Sequence, residues 1–250
     1  MHVLLVRDDR EYLLAPGERL ETDLGILEVP DDPTGGQTVE THIGEAFTVR
    51  EPRLPDFFDH FERTGAPMMP RDAGLVLGET GAGSGDRVLD AGTGTGVLAA
   101  YLANAGADVL TYERDAEFAE NARGNFERAD LDERVDVRAG DLTEEIDDLV
   151  AESDDEQAPA APFDVLTLDT EDAPSVVERA PDLLVDGGAL AVYSPFVEAT
   201  RDIVQAAREA GLREIHARET IQRDLDVDER GTRPSTRGVG HTGYLVFARR

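Results

Sequence analysis

A short apolar run that breaks into three alternating glycines constrains this chain more than any other stretch. Residues 88–96 read Val-Leu-Asp-Ala-Gly-Thr-Gly-Thr-Gly, and an apolar helical pattern, Val97–Ala105, follows at once. A strand that turns so sharply into a helix leaves backbone N–H groups exposed, and glycine lets a ligand come close to them. Arg87–Ala91 therefore reads as a strand. Asp108–Tyr112 reads as the next, ending at Glu113, seventeen residues after Gly96. A carboxylate at that place can accept both hydroxyls of a ribose. Gly92, Thr93, Gly94, Gly96, Glu113 and the adjoining Arg114 are thus the candidate binding residues for a nucleoside-containing ligand. The loop is Gly-x-Gly-x-Gly and not Gly-x-Gly-x-x-Gly, which favours S-adenosylmethionine over a dinucleotide.

From Asp86 onward strand and helix patterns alternate, the signature of a parallel sheet in an α/β fold. A helix is expected over Ala116–Ala129, strands over Val135–Ala139 and Phe163–Leu168, and a helix over Ala173–Leu184. Gly187-Gly188 reads as a turn into a strand, Ala189–Tyr193. Phe196–Ala210 is a helix closed by Gly211, and Arg213–Gln222 and Tyr244–Ala248 are the last strands. The acidic segment Ser153–Pro162 is expected to be a mobile loop. Upstream, short apolar runs separated by turn signals predict a small all-β domain over residues 1–52, and linking helices over 53–85 (Leu54–Arg63 and Arg71–Gly81) lead to a catalytic domain over 86–250.

Two carboxylates fall on the edge that carries the glycine loop, because ligands of open α/β sheets bind outside the carboxyl ends of the strands. Asp141, followed by Leu142, lies just past the third strand of this series. It is placed to accept an adenine amino group, and Asp-Leu-Thr-Glu also reads as a helix cap, two roles that can coexist. Asp169 ends the fourth strand. Asp172-Ala173-Pro174 is the better cap for the helix that follows, which leaves Asp169 free for chemistry.

Composition excludes other classes. The chain has 250 residues and no cysteine, so it has no disulfide framework and no thiolate catalysis. Its five histidines show no metal-ligand spacing, and no metal is expected. No apolar run approaches the ~18 residues of a membrane span, so a soluble, cytoplasmic protein is expected. The net charge is −30, and every basic residue is Arg, since the sequence contains no Lys. A carboxylate-rich surface of this kind suits concentrated salt, where the Debye length shrinks to ~3 Å and self-repulsion is screened. A halophilic protein is expected.

The run "PRDAGLVLGETGAGSGDRVLDAGTGTG" (70–96) resembles the tRNA (adenine-N1)-methyltransferase family, as do "VYSPF" (192–196), Leu168-Asp169, "HTGYLVFARR" (241–250) and the N-terminal unit with "TVREPRLPDFF". The resemblance covers essentially the whole chain. It implies a class I (Rossmann-like) S-adenosylmethionine methyltransferase sheet with a small N-terminal all-β domain. It also implies methylation of adenine N1 in the T-loop of tRNA (A57/A58 type), and a homotetramer. In the family, the glycine loop and the acidic residues after the second and third strands hold the cofactor; these correspond to Gly92, Gly94, Gly96, Glu113 and Asp141. The catalytic Asp corresponds to Asp169. The chain departs from the family at Thr170-Glu171, where Leu-Pro is usual, at Met69 in place of an aromatic or His, at Arg71 in place of Lys, and at Ala199 in place of Gln.

The chemistry is consistent with Asp169 as an electrostatic group. Adenine N1 carries a lone pair and needs no deprotonation, whereas the product is a cation that a carboxylate near N6 stabilises. RNA binding by so acidic a chain would rest on local arginines: Arg50, Arg53, Arg63 and Arg71, or Arg233, Arg237, Arg249 and Arg250. For any one of these, a surface ion pair is the plainer role. A class I methyltransferase with a small-molecule or protein substrate, an NAD-dependent dehydrogenase and a non-catalytic partner subunit are the rival readings. No hydride-transfer site is found for the second, and the intact glycine loop and Asp169 count against the third.

Overall fold

The computed structural model describes residues 2–151, 163–238 and 240–250; the predicted loop Ser153–Pro162 lies outside them. The chain begins with six short strands, β1 (Val3–Arg7), β2 (Arg10–Leu14), β3 (Arg19–Thr22), β4 (Gly25–Glu28), β5 (Thr38–Glu40) and β6 (Ala46–Arg50). They form an antiparallel sheet in the order β2-β1-β6-β5 and a β3–β4 hairpin. Inward-facing Leu5, Leu27, Phe47 and Val49 give this unit its own buried core.

Helix α1 (Leu54–His60) is shorter than the expected Leu54–Arg63, because Phe61 is already extended. Helix α2 (Pro70–Thr80) has Pro70 in its first turn, where the missing N–H costs nothing, and Gly81 ends it at φ 74°. The alternating half then follows: β7 (Arg87–Ala91), α3 (Val97–Asn104), β8 (Asp108–Glu113), α4 (Ala116–Ala129), β9 (Val135–Ala139), α5 (Leu142–Ala151), β10 (Phe163–Leu168), α6 (Ala173–Glu178), α7 (Ala180–Leu183), β11 (Leu184–Ser194), α8 (Val197–Glu209), β12 (Arg213–Glu219), β13 (Leu225–Asp228), β14 (Gly231–Pro234) and β15 (Tyr244–Arg249).

Seven of these strands make one sheet in the order β12-β15-β11-β10-β7-β8-β9. The five central and right-hand strands are parallel, and β15 runs antiparallel between β11 and β12. Alternation along each strand divides the core. Val88, Val109 and Val165 face one layer of helices, α1 to α4. Leu89, Leu166 and Leu190 face the other, α5 to α8. The chain leaves β7 toward β8 and β9, then returns to β10 and β11 on the far side. The carboxyl ends of β7 and β10 are therefore the point where the winding reverses, which is where such sheets bind ligands.

Three departures from the sequence reading have local causes. The single helix expected over Ala173–Leu184 is two, because Pro181 has no N–H to return to Val177 and the helix restarts at Ala180. The expected Gly187-Gly188 turn lies inside β11. Gly187 takes φ 80° and the register against β10 shifts there, so the glycines form an irregularity within a strand rather than its start. The charged segment after β12 folds as an antiparallel hairpin, β13–β14.

Candidate active site

At the reversal point lies a half-open cavity of about 300 Å³, within the size range of small-molecule sites. Gly92, Gly94, Glu113, Arg114, Asp141, Leu142 and Asp169 all line it. The glycine loop has no freedom to be anything else at its first position. Gly92 has φ 90°, and a Cβ there would lie 2.1 Å from the Asp169 carbonyl oxygen. The Asp169 N–H in turn donates to the Ala91 carbonyl at 2.8 Å. One backbone crossing thus places the loop and Asp169 together.

The remaining loop residues lie elsewhere. Gly96 is not on the cavity wall. It sits at the start of α3 with φ 87°, and a Cβ would press on the Phe126 ring at 2.6 Å, so it serves helix packing. Thr93 is buried and its hydroxyl bonds to Thr111 at 2.5 Å, while Thr111 donates to Asp90 at 2.6 Å and Thr167 donates to the other Asp90 oxygen at 2.5 Å. Thr93 borders a smaller void of about 40 Å³ behind Asp169. The buried Asp90 carboxylate thereby ties β7 to β8 and β10 beneath the loop.

Both Glu113 oxygens accept backbone N–H groups, from Gly94 at 2.8 Å and from Asp115 at 3.1 Å. These bonds fix the carboxylate, and each oxygen keeps a lone pair for a hydroxyl donor. Asp141 caps its helix as expected and also lines the cavity. Its Oδ1 caps α5 by accepting from the Thr143 N–H at 2.9 Å and hydroxyl at 2.7 Å, and its side chain borders the cavity. The Thr143 hydroxyl holds the Asp141 pKa below the usual range, with a smaller contribution from Arg114. Asp172 does not cap α6 with its side chain. It pairs instead with Arg114 at 2.7 Å, across the cavity mouth, and Arg114 also lies 3.7 Å from Asp141. The spacing of the sequence gives no hint of this bridge.

Asp169 is held far from its ordinary titration range. Burial, followed by the charges of Asp90 and Glu113, pushes its pKa from 3.8 up to about 7. The walls add to the same field, since Glu113, Asp141, Asp169, Glu171 and Asp172 face Arg114 alone among the charged lining residues. Such a site welcomes a cationic ligand, as a sulfonium is, and repels a pyrophosphate. The side-chain-free glycines on the cavity wall, the fixed Glu113 and this negative field fit S-adenosylmethionine.

Most of the arginines considered for RNA contact are engaged within the chain. Arg50 pairs with Asp56 and Glu11, Arg233 and Arg237 with Asp226, and Arg249 and Arg250 donate to backbone carbonyls. Among the described residues no group of three or more His, Asp or Glu side chains could hold a metal ion, and no helix is long and apolar enough to cross a membrane.

Residues 69–233 match the family model described as the tRNA methyltransferase complex GCD14 subunit. Over 98% of its length the chain is 33% identical to the tRNA (adenine(57)-N(1)/adenine(58)-N(1))-methyltransferase TrmI of Methanocaldococcus jannaschii, covering 94% of that protein. The chain belongs to the tRNA (adenine-N1)-methyltransferase family. A TrmI of Thermus thermophilus, a tRNA (adenine(58)-N(1))-methyltransferase, is 31% identical over 86% of the chain and 81% of its own length. Among solved structures, a SAM-dependent O-methyltransferase from Thermotoga maritima superposes with a TM-score of 0.80 at 27% identity, over all of this chain and 92% of the other. The fold is shared as well with the tRNA (m1A58) methyltransferase TrmI of Aquifex aeolicus, at a TM-score of 0.75 and 23% identity over 100% and 96% of the two chains. The sheet is that of a class I methyltransferase, and the cofactor of this family member is S-adenosylmethionine.

Sequence reasoning missed an aromatic neighbour of Asp169, set beside it by the pairing of Leu168 with Val192. Tyr193 lies at the end of β11, and burial, then the charge of Asp169, raises its phenol pKa. A Cβ on Gly243 would lie 2.6 Å from the Tyr193 hydroxyl, so only glycine allows the start of β15 to pass that ring. The motifs "VYSPF" and "HTGYL" pointed to these segments without showing that they meet.

Proposed function

We propose that the chain transfers a methyl group from S-adenosylmethionine to N1 of an adenine in the T-loop of tRNA, of the A57/A58 type, as the names of its relatives describe for them. The observation that carries this reading is Asp169. It is a part-buried carboxylate on the floor of an acidic cavity, joined to the glycine loop by one backbone crossing.

S-adenosylmethionine, when bound, supplies an electrophilic methyl on a sulfonium sulfur. Gly92, Gly94, Glu113, Arg114, Asp141 and Leu142 hold it, and Thr93 and Gly96 support the loop from beneath. Asp169 faces the acceptor base. Adenine N1 forms the new C–N bond with its own lone pair, so no proton has to leave. The positive charge that develops on the ring is met by the Asp169 carboxylate through the N6 amino group. A cation beside Asp169 also favours its ionised form over the neutral one. The target base must leave the T-loop stack to reach this floor. Phe196, 67% exposed at the carboxyl edge of β11, offers an aromatic face for RNA on that edge.

Three broader features belong to the same proposal. The protein is cytoplasmic, as its substrate requires. It works in concentrated salt, as its Lys-free, strongly acidic sequence suits. It assembles as a homotetramer, which would cover Ile221, Leu225 and Val227, all left exposed on and beside the β13–β14 hairpin.

The test is nucleoside analysis of tRNA incubated with the protein and labelled S-adenosylmethionine in molar KCl. N1-methyladenosine in the T-loop is expected, and methyl label elsewhere would overturn the substrate. Asp169→Ala should lower kcat by ~10²-fold or more, the usual loss for an electrostatic group of this kind, with cofactor affinity little changed. Asp169→Asn should fall between Ala and wild type. An Asn variant as poor as Ala would instead make Asp169 a base.

A further inference from the structure

Two of the motifs that carry the family resemblance, Pro-Arg-Asp-Ala and His-Thr-Gly-Tyr, are joined by a contact that spans 170 residues. The Thr242 hydroxyl donates to Asp72 Oδ2 at 2.7 Å. Asp72, on the first turn of α2, is 2% exposed. A buried carboxylate at a helix N-terminus is stabilised by the helix dipole, and Arg71 adds a cation whose Nε lies 3.8 Å away. Arg71 Nη2 also donates to the Thr242 hydroxyl, at 3.4 Å. The segment before β15 is therefore fastened to α2 through one side chain.

What that fastening controls is Tyr193. The adjoining Gly243 packs against its phenol hydroxyl, where a Cβ would lie only 2.6 Å away, and the pairing of Leu168 with Val192 sets Tyr193 beside Asp169 at the neighbouring strand end. The chain of contacts thus runs from a buried carboxyl group, through a hydroxyl and the adjoining glycine, to an aromatic ring beside Asp169. Neither Asp72 nor Thr242 is on the cavity wall, so neither has a direct part in holding the cofactor.

We infer that Asp72 and Thr242 are positioning residues for methyl transfer, acting as a latch that holds Tyr193 against the acceptor side of Asp169. The inference rests on the proposed reading of that side as the place where the target base docks. Removing the latch leaves the cofactor half of the site intact and loosens the acceptor half. It should therefore act on turnover and tRNA use rather than on S-adenosylmethionine binding.

The experiment uses the full chain, unmodified tRNA transcript and S-adenosylmethionine. Thr242→Val keeps the shape and removes the hydroxyl. It should lower kcat by ~10-fold or more, the scale of a lost hydrogen bond to a charged group, and leave the cofactor Kd within about twofold. Thr242→Ser should restore most of the rate. In a Tyr193→Phe background, Thr242→Val should cost little more, since the two changes cut the same chain of contacts. Near-UV circular dichroism should show a tyrosine change in Thr242→Val that is absent between the two Tyr193→Phe proteins. If Thr242→Val does not fold, Asp72→Asn is read by the same measurements. A variant with full kcat, an undiminished loss in the Tyr193→Phe background, or a loss matched by weaker cofactor binding would overturn the latch. A wild-type protein inactive on tRNA would instead overturn the substrate reading, and the dichroism comparison would still decide whether Thr242 orders Tyr193.

Discussion

Asp169 makes a quantitative claim on stability. Its pKa rises from 3.8 to about 7 on folding, first through burial and then through the like charges of Asp90 and Glu113. At ~1.4 kcal/mol per unit, ionised Asp169 costs the folded protein at most about 4 kcal/mol. The sign follows from proton affinity. The native state holds the Asp169 proton more tightly, so stability is full below the unfolded pKa, falls as pH rises from about 4 to 7, and then levels off. Asp169→Asn removes the ionisation and keeps the shape. For a chain of this size 1 kcal/mol shifts Tm by ~2–4 °C, so the ceiling on its gain at pH 8 is ~8–16 °C. Salt screens the Asp90 and Glu113 contributions, which makes ~5 °C or more the working expectation in molar KCl. At pH 5 the gain should be less than half its value at pH 8. The assay is thermal unfolding of both proteins, without cofactor, from pH 5 to pH 8. A Tm difference that does not grow with pH, or an Asn variant less stable than wild type at pH 8, would refute the reasoning.

Other expectations concern the same edge of the sheet. Gly92→Ala drives a methyl into the Asp169 carbonyl at 2.1 Å, so cofactor binding and turnover should fall together, with a stability loss of ~2 kcal/mol or more; isothermal titration and denaturant unfolding would show it, and an Ala variant with wild-type turnover would contradict the close approach. Glu113→Ala should weaken S-adenosylmethionine by ~1.5–3 kcal/mol, the worth of hydrogen bonds to a charged group, and calorimetry showing equal affinity would remove Glu113 from the site. Cofactor binding near pH 7 should release protons as Asp169 ionises, which calorimetry in buffers of different ionisation enthalpy reads directly; uptake of protons would reverse the electrostatic picture. Dialysis from 3 M to 0.1 M KCl should lower Tm through carboxylate repulsion, and an unchanged Tm would dismiss the salt adaptation.

The alternating half of the chain was legible to the residue at β7, β9, β10 and α4, because apolar runs of strand length there are punctuated by Gly, Asp and Pro. The glycine loop, Glu113, Asp141 and Asp169 follow from that alternation, since the ends of parallel strands share one edge. Legibility failed where backbone pairing, not hydrophobic patterning, decides the structure. The hairpin β13–β14 carries only Leu225 and Val227 as apolar residues and buries neither, so no core face announces it. Strands β3 and β5 are too short to show a period. Gly187-Gly188 resembles any turn, and only the pairing of β11 with β10 shows a strand running through it. Long-range contacts such as Arg114 with Asp172, or Asp72 with Thr242, join residues from distant segments and leave no local trace.

The backbone crossing of β7 and β10 also limits how a protein of this architecture can change. The glycine loop proposed to grip the cofactor and the carboxylate proposed for catalysis hang on the same few peptide units, so a mutation that reshapes one disturbs the other. The ring of Tyr193 beside Asp169 is instead held by a segment distant in sequence from that crossing, at Thr242 and Gly243. Substitutions there can accumulate without touching the methyl donor's seat. New acceptor specificities therefore have an open route through the end of the chain and a closed one through the glycine loop, and a directed-evolution library would be better spent on residues 235–244 than on 90–96.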